Sequence, residues 1–258
     1  MKRRIDRARA AFDKRDISEL KKSHSKIAME QHENAGSYLG DFVYGAIDGS
    51  VTTFAVVSGV AGAALSSNVV VILGLANLLG DGFSMAVGNY LSSKSNIEFI
   101  QKERKREEWE VDNYPDGEVL EIREIFRKKG FTGKDLDKAV KIITSNKKVW
   151  VDTMMADELK LSEDSISPIK KGLVTFCAFI LVGSIPLMPF FLALADSNLK
   201  PIAYTLSIFM TFTAFFLIGS AKTYVTKKNW LKSGLETLII GGVAAIIAYL
   251  VGFFLRGI

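Results

Sequence analysis

The stretch from Val69 to Asp112 constrains this chain more than any other. It opens as an apolar run, VVVILGLANLLGDGFSMAVGNYLSSKS, and passes directly into a charged one, NIEFIQKERKREEWEVD. The first proline of the chain is Pro115, so nothing inside the stretch forces a helix to stop. As one helix it is about 66 Å long, and a bilayer core takes only about 30 Å of that. One half therefore belongs in a membrane, and the other stands in water still joined to it. The projecting half carries Glu103, Glu107 and Glu110, spaced four and three apart on one helix face. Hard cations take several oxygen ligands at close range, and such a face offers them. A solvated face of mixed charge, the commoner arrangement, has the same spacing.

Charged residues make up 24% of the chain, yet they are segregated from long apolar runs. Runs long enough to span occur at about Phe42–Leu65, Val69–Ser92, Gly172–Ala195, Pro201–Ser220 and Leu235–Leu255. The expected fold is all-α, a polytopic membrane protein of five spans with its termini on opposite sides. The expected organisation is a basic arm over 1–40, spans one and two over 41–95, a helical extramembrane domain over 96–168 that continues span two, and spans three to five over 169–258. Ten Lys and Arg precede Asp41, seventeen lie between Ser93 and Lys171, and the fourth loop has Lys222, Lys227, Lys228 and Lys232. The other side has only Lys200 and Arg256. The positive-inside rule puts the N-terminus, the middle block and the fourth loop in the cytoplasm. The net charge of +5 follows from that orientation and does not require a nucleic-acid partner.

The basic N-terminal arm has no apolar h-region and is not expected to be a cleavable signal peptide. It suits the anionic inner leaflet. Its His24 and His32 read as solvated side chains rather than ligands. Cys177, the only cysteine, excludes an internal disulfide and a cysteine zinc cluster, and suits apolar packing.

Within the membrane part, Asp48 lies several residues inside the first span. A charge there is costly and usually faces a cavity, an ion path or a partner; a hydrated place near the interface is the alternative, and the functional reading is preferred. Gly45, Gly49, Gly59 and Gly62 let neighbouring helices approach. In the second span Asn77, Asp81 and Ser84/Met85 recur at helical spacing. With Asp48 they form a polar path whose carboxylate, amide and thioether suit a borderline metal such as Fe²⁺ better than Mg²⁺ or Ca²⁺. Met85 taken alone reads as plain packing. NYPDGE signals a turn, and Glu118, Glu121 and Glu124 open the next helix, where the helix dipole alone accounts for acidic residues. Gly130 ends that helix, and another begins near Thr132. KKVWVDTMMADELKL then puts Met154 and Glu158 four apart on one face. Pro186 and Pro189 are expected to kink the third span and free carbonyls for other donors. The fifth span starts at Glu236.

Seven segments in order carry a resemblance: IDG at Ile47–Gly49, SMAVGNYLSSKS at Ser84–Ser95, KREEWEV at Lys105–Val111, PDGE at Pro115–Glu118, WVDTMMADEL at Trp150–Leu159, IPLMPF at Ile185–Phe190, and GLETLIIGG at the start of the last span. From about Gly36 onward the chain resembles the vacuolar iron transporter family of plant and yeast type. The resemblance implies a transporter rather than an enzyme. It implies five spans, a homodimer, and a cytoplasmic metal-binding domain between spans two and three. It implies Fe²⁺ leaving the cytosol, into a vacuole-like compartment or out of the cell, in exchange for protons. Mn²⁺ is the next expected cargo, with Zn²⁺ and Co²⁺ as further bound ions. The family's cytoplasmic carboxylates fall on Glu107, Glu110, Glu118, Glu121 and Glu158, its soft ligands on Met154 and Met155, and its intramembrane aspartate and path methionine on Asp48 and Met85. Two positions depart from the family: Asn77 stands where many members have a glutamate, which leaves Asp81 as a substitute proton carrier, and Asn89 stands where Glu or Gly is frequent. Two other classes fit the membrane layout, a passive metal-gated channel and a membrane-anchored carboxylate metalloprotein. The latter's Glu-x-x-His pairs are missing from the middle block.

Overall fold

The computed structural model describes residues 12, 14–18, 35–162, 166–221, 223 and 229–256. His24, His32, Lys222, Lys227, Lys228 and most of the N-terminal arm lie outside the described residues. The chain divides into two units, Met1–Gly40 and Asp41–Ile258. In the first, the Ser18 N–H donates to the Asp16 carboxylate at 2.9 Å. The second holds the helical bundle.

Nine α-helices, one π-helical turn and two 3₁₀ turns are bounded among the described residues, which include no strands. Helix α1 is Ala35–Gly62 and α2 is Ser67–Asn113. Next come α3 (Pro115–Lys128), α4 (Gly133–Thr144) and α5 (Lys147–Thr153), the last running into a π-helical turn at Met154–Glu158. Helices α6 (Pro168–Gly183) and α7 (Met188–Ala195) follow, then α8 (Ala203–Ala221) and α9 (Trp230–Phe254). Among the described residues, five stretches are long and apolar enough to cross a membrane: α1, α2, α6 with α7, α8 and α9. The fifth starts at Trp230, not at Glu236, because Asn229 caps it by accepting from the N–H groups of Leu231 and Lys232.

Helix α2 is unbroken for 47 residues, about 70 Å. Its apolar half packs on α6, and α8 packs on α9. Helix α1 approaches α6 and α9 through glycine. A Cβ on Gly49 would meet the Phe179 carbonyl oxygen at 2.5 Å, and one on Gly62 would meet that of Tyr249 at 2.2 Å. The third span breaks at a 3₁₀ turn, Ile185–Leu187, which contains Pro186. There the Pro186 carbonyl accepts from Ser207 Oγ at 2.7 Å, so the break leaves no orphan acceptor at that carbonyl.

The outer half of α2 has a core of its own. Ile100 and Val111 of α2 pack with Ile122 of α3, Leu136 and Val140 of α4, Trp150 and Val151 of α5, and Met154 and Met155 of the π turn. This small bundle rides on the far end of a helix that also lines the membrane part.

Candidate metal centre and membrane path

Two local devices build the acidic cluster. Pro115 sits in the first turn of α3, where its missing N–H costs nothing, so α3 starts immediately after Tyr114. The Tyr114 ring packs against Gly117, where a Cβ would come within 2.3 Å of Cε1. That tight reversal turns Glu118 back toward Glu107 and Glu110. One carboxylate oxygen from each of the three lies within 4.8 Å of the others. Glu107 is only 2% exposed and Glu118 only 5%. Each keeps one buried oxygen, Oε2, with no hydrogen-bond donor.

The third side comes from the π turn. Leu159 N–H donates to the Met154 carbonyl at 3.2 Å and Leu161 N–H to that of Met155 at 2.9 Å. The widened turn carries Glu158 to the cluster, where it shares a hydrogen bond with Glu121. Such insertions favour functional sites. Met154 and Met155 are buried in the bundle core, in one apolar cluster with Ile122 and Trp150.

Crowded carboxylates hold their protons. Burial first, and then Glu121, Glu107, Glu110 and Glu158, push Glu118 up to about 7. Partial desolvation, the charges of Glu121 and Glu107 and the bond to Glu121 raise Glu158 to about 7, with Arg106 opposing. Burial also raises Glu107, against the pull of Arg106. The spacing of the carboxylates is visible in the sequence. The guanidinium among them is not among the residues that the sequence singles out, although Arg106 stands three residues from Glu103 and four from Glu110.

In the membrane part, Asn77 donates its side-chain amide to Asp81 one turn on. The Asp81 carboxylate lies within electrostatic reach of Asp48 on α1. Met85, half-buried, packs against the membrane core. Asp81 and Ser84 are exposed on α2. Asn89, in the sequence only a departure from the family, ties three helices together: its amide donates to Asp41 of α1 at 2.8 Å and to Thr175 of α6 at 2.7 Å.

The chain matches the model of the VIT family over residues 39–253. It is 37% identical to a protein of Toxoplasma gondii named vacuolar iron transporter, over 98% of this chain and 89% of that one. It is 31% identical to a Plasmodium falciparum protein of the same name, over 96% and 95%. It is 32% identical to vacuolar iron transporter 1 of Arabidopsis thaliana, over 85% and 87%. With five spans on one side of this likeness and near-complete coverage on the other, the chain belongs to the VIT family and is a multi-pass membrane transporter, not an enzyme.

Proposed function

We propose that the protein carries Fe²⁺ out of the cytosol in exchange for protons, into a vacuole-type compartment or out of the cell. Mn²⁺ is the second cargo. The observation that carries this reading is the pair Glu107 and Glu118, two buried carboxylates that each present an oxygen with no donor. A buried carboxylate oxygen without a partner binds either a proton or a cation. Glu110, Glu121, Glu158, Met154 and Met155 complete a mixed hard and soft set suited to a borderline divalent ion. Zn²⁺ and Co²⁺ would bind the same set. The relatives' names supply iron as the cargo.

Metal gathered at this domain passes to Asp48, Asp81, Asn77 and Met85, on or beside the same helix. The lysine and arginine distribution supports a cytoplasmic position for the domain. Asp81 and Ser84 lie mid-span and exposed in one chain beside the half-buried Asn77, with Gly80 and Gly88 open next to them. A polar face of that kind does not meet lipid; it supports a homodimer whose second copy covers it.

The test is Fe²⁺ uptake into proteoliposomes under anaerobic conditions. Wild type takes up Fe²⁺, and Glu107→Gln with Glu118→Gln slows uptake at low metal concentration. Equal uptake by the double variant at every concentration would remove the cluster from the pathway.

A further inference from the structure

The acidic cluster brings its own cation. Arg106 projects from α2 and bonds three carboxylates at once. Its Nε meets Glu103 Oε2 at 3.0 Å, its Nη2 meets Glu107 Oε1 at 2.9 Å, and its Nη1 meets both oxygens of Glu110 at 3.1 and 3.2 Å. Glu107 and Glu110 are two of the three groups that converge with Glu118. Both oxygens of Glu110 are thus engaged by the guanidinium. A divalent ion seated on Glu110 competes for the same lone pairs, and its charge repels the guanidinium as well.

We propose that Arg106 is a tethered counter-cation of this centre. Resting on the metal-centre reading above, it stands in for the metal: it holds the carboxylates together before an ion arrives and swings off Glu110 when one binds. Two observations support the exchange. The Arg106 side chain is 44% exposed, so it can withdraw into solvent by rotation about its own bonds. The oxygens it leaves unbonded, Oε2 of Glu107 and of Glu118, are those that are buried without a donor. Arg106 therefore neutralises the rim of the cluster and leaves its floor open. A planar fork suits this task because it spans carboxylates on either side of itself along one helix.

The consequence is a trade between stability and affinity. Arg106 offsets repulsion among the glutamates when no metal is present, and it weakens metal binding by having to be displaced. A carrier gains from this, since an ion held less tightly is more readily passed on.

The experiment uses the full-length protein in detergent, with Mn²⁺ as an air-stable probe, at one fixed ionic strength. Calorimetry gives affinity, and thermal unfolding of the extramembrane domain, followed by Trp109 and Trp150 fluorescence, gives stability. Arg106→Gln is expected to bind Mn²⁺ about three- to tenfold tighter, the scale of a few partly exposed ion pairs. Its metal-free form should melt at lower temperature than wild type. Arg106→Lys, which keeps the charge and loses the fork, should fall between the two. If Arg106→Gln does not accumulate folded, Arg106→Lys decides: tighter binding supports the proposal, and unchanged or weaker binding overturns it. A merely structural ion pair would lower the melting temperature with no gain in affinity, which also overturns it. Glu110→Gln separates the two levels. If it binds Mn²⁺ as wild type does, the metal-centre reading fails. If it loses binding while Arg106→Gln binds no tighter than wild type, the counter-cation proposal fails alone.

Discussion

Glu107 on α2 and Glu118 on α3 face each other across the Tyr114 reversal, both buried and both with an oxygen that no donor meets. Two buried carboxylates with open oxygens oppose folding unless a proton or a cation joins them. Such a pair is suited to exchanging one for the other.

The first prediction is a pH dependence with a definite sign. Glu118 and Glu158 titrate near 7 in the folded protein, against 4.5 for an ordinary glutamate. A raised carboxyl stabilises the fold fully below about pH 4.5, and the contribution is lost as pH rises through about 7. In metal-free protein, hydrogen-exchange protection of α3 should fall between about pH 4.5 and 7. Glu118→Gln should flatten that fall. Mn²⁺ binding should run the other way, tightening as the protons leave. Protection that stays constant across the range would contradict this.

How much of the fold and the site is legible in the sequence depends on the interaction involved. Both ends of helix α2 are legible to within a turn, because the absence of proline and an unbroken run of helix formers are local facts. The close approaches at Gly45, Gly49 and Gly62 are legible because a glycine within an apolar run marks where another helix can come near. Glu118 is ambiguous: as a first-turn glutamate it suits the helix dipole, and only its burial next to Glu107 and Glu110 reveals that it points inward. The π turn at Met154–Glu158 is invisible, since MMADE has no residue that forbids an α-helix and the extra residue is accommodated by the bundle core. The break at Ile185–Leu187 is foreshadowed by Pro186, but its acceptor's partner, Ser207, lies in another span.

Asp48→Asn keeps the volume and removes the charge. Insertion and folding should be normal, while Fe²⁺ transport falls at least about tenfold, equivalent to ~1.4 kcal/mol of barrier. Near-normal transport in proteoliposomes would mean that Asp48 is a hydrated interfacial residue outside the path.

Asn77 cannot titrate, so its bond to Asp81 leaves the carboxyl group as the member able to carry a proton. Asp81→Asn should leave Mn²⁺ binding at the outer domain intact and abolish the response of transport to pH. Asn77→Glu in that background should restore part of it. Uptake at several internal pH values checks both, and an unchanged pH response in Asp81→Asn would leave Asp48 to serve both roles.

Met154 is fully buried, so its replacement must conserve volume. Met154→Leu should cost less than about 1.5 kcal/mol in stability. By removing the thioether it should weaken Fe²⁺ more than Mn²⁺, narrowing the ratio of their affinities. Competitive binding of the two ions measures that ratio, and no change in it would place Met154 in the core alone.

The most direct measurement of the central claim is Fe²⁺ movement in proteoliposomes whose lumen already holds more Fe²⁺ than the outside, with an acidic lumen and the membrane potential clamped to zero. Proton-coupled exchange predicts further Fe²⁺ accumulation, accompanied by proton efflux and stopped by a protonophore. Fe²⁺ flowing down its own gradient regardless of pH would show a passive channel and contradict the account.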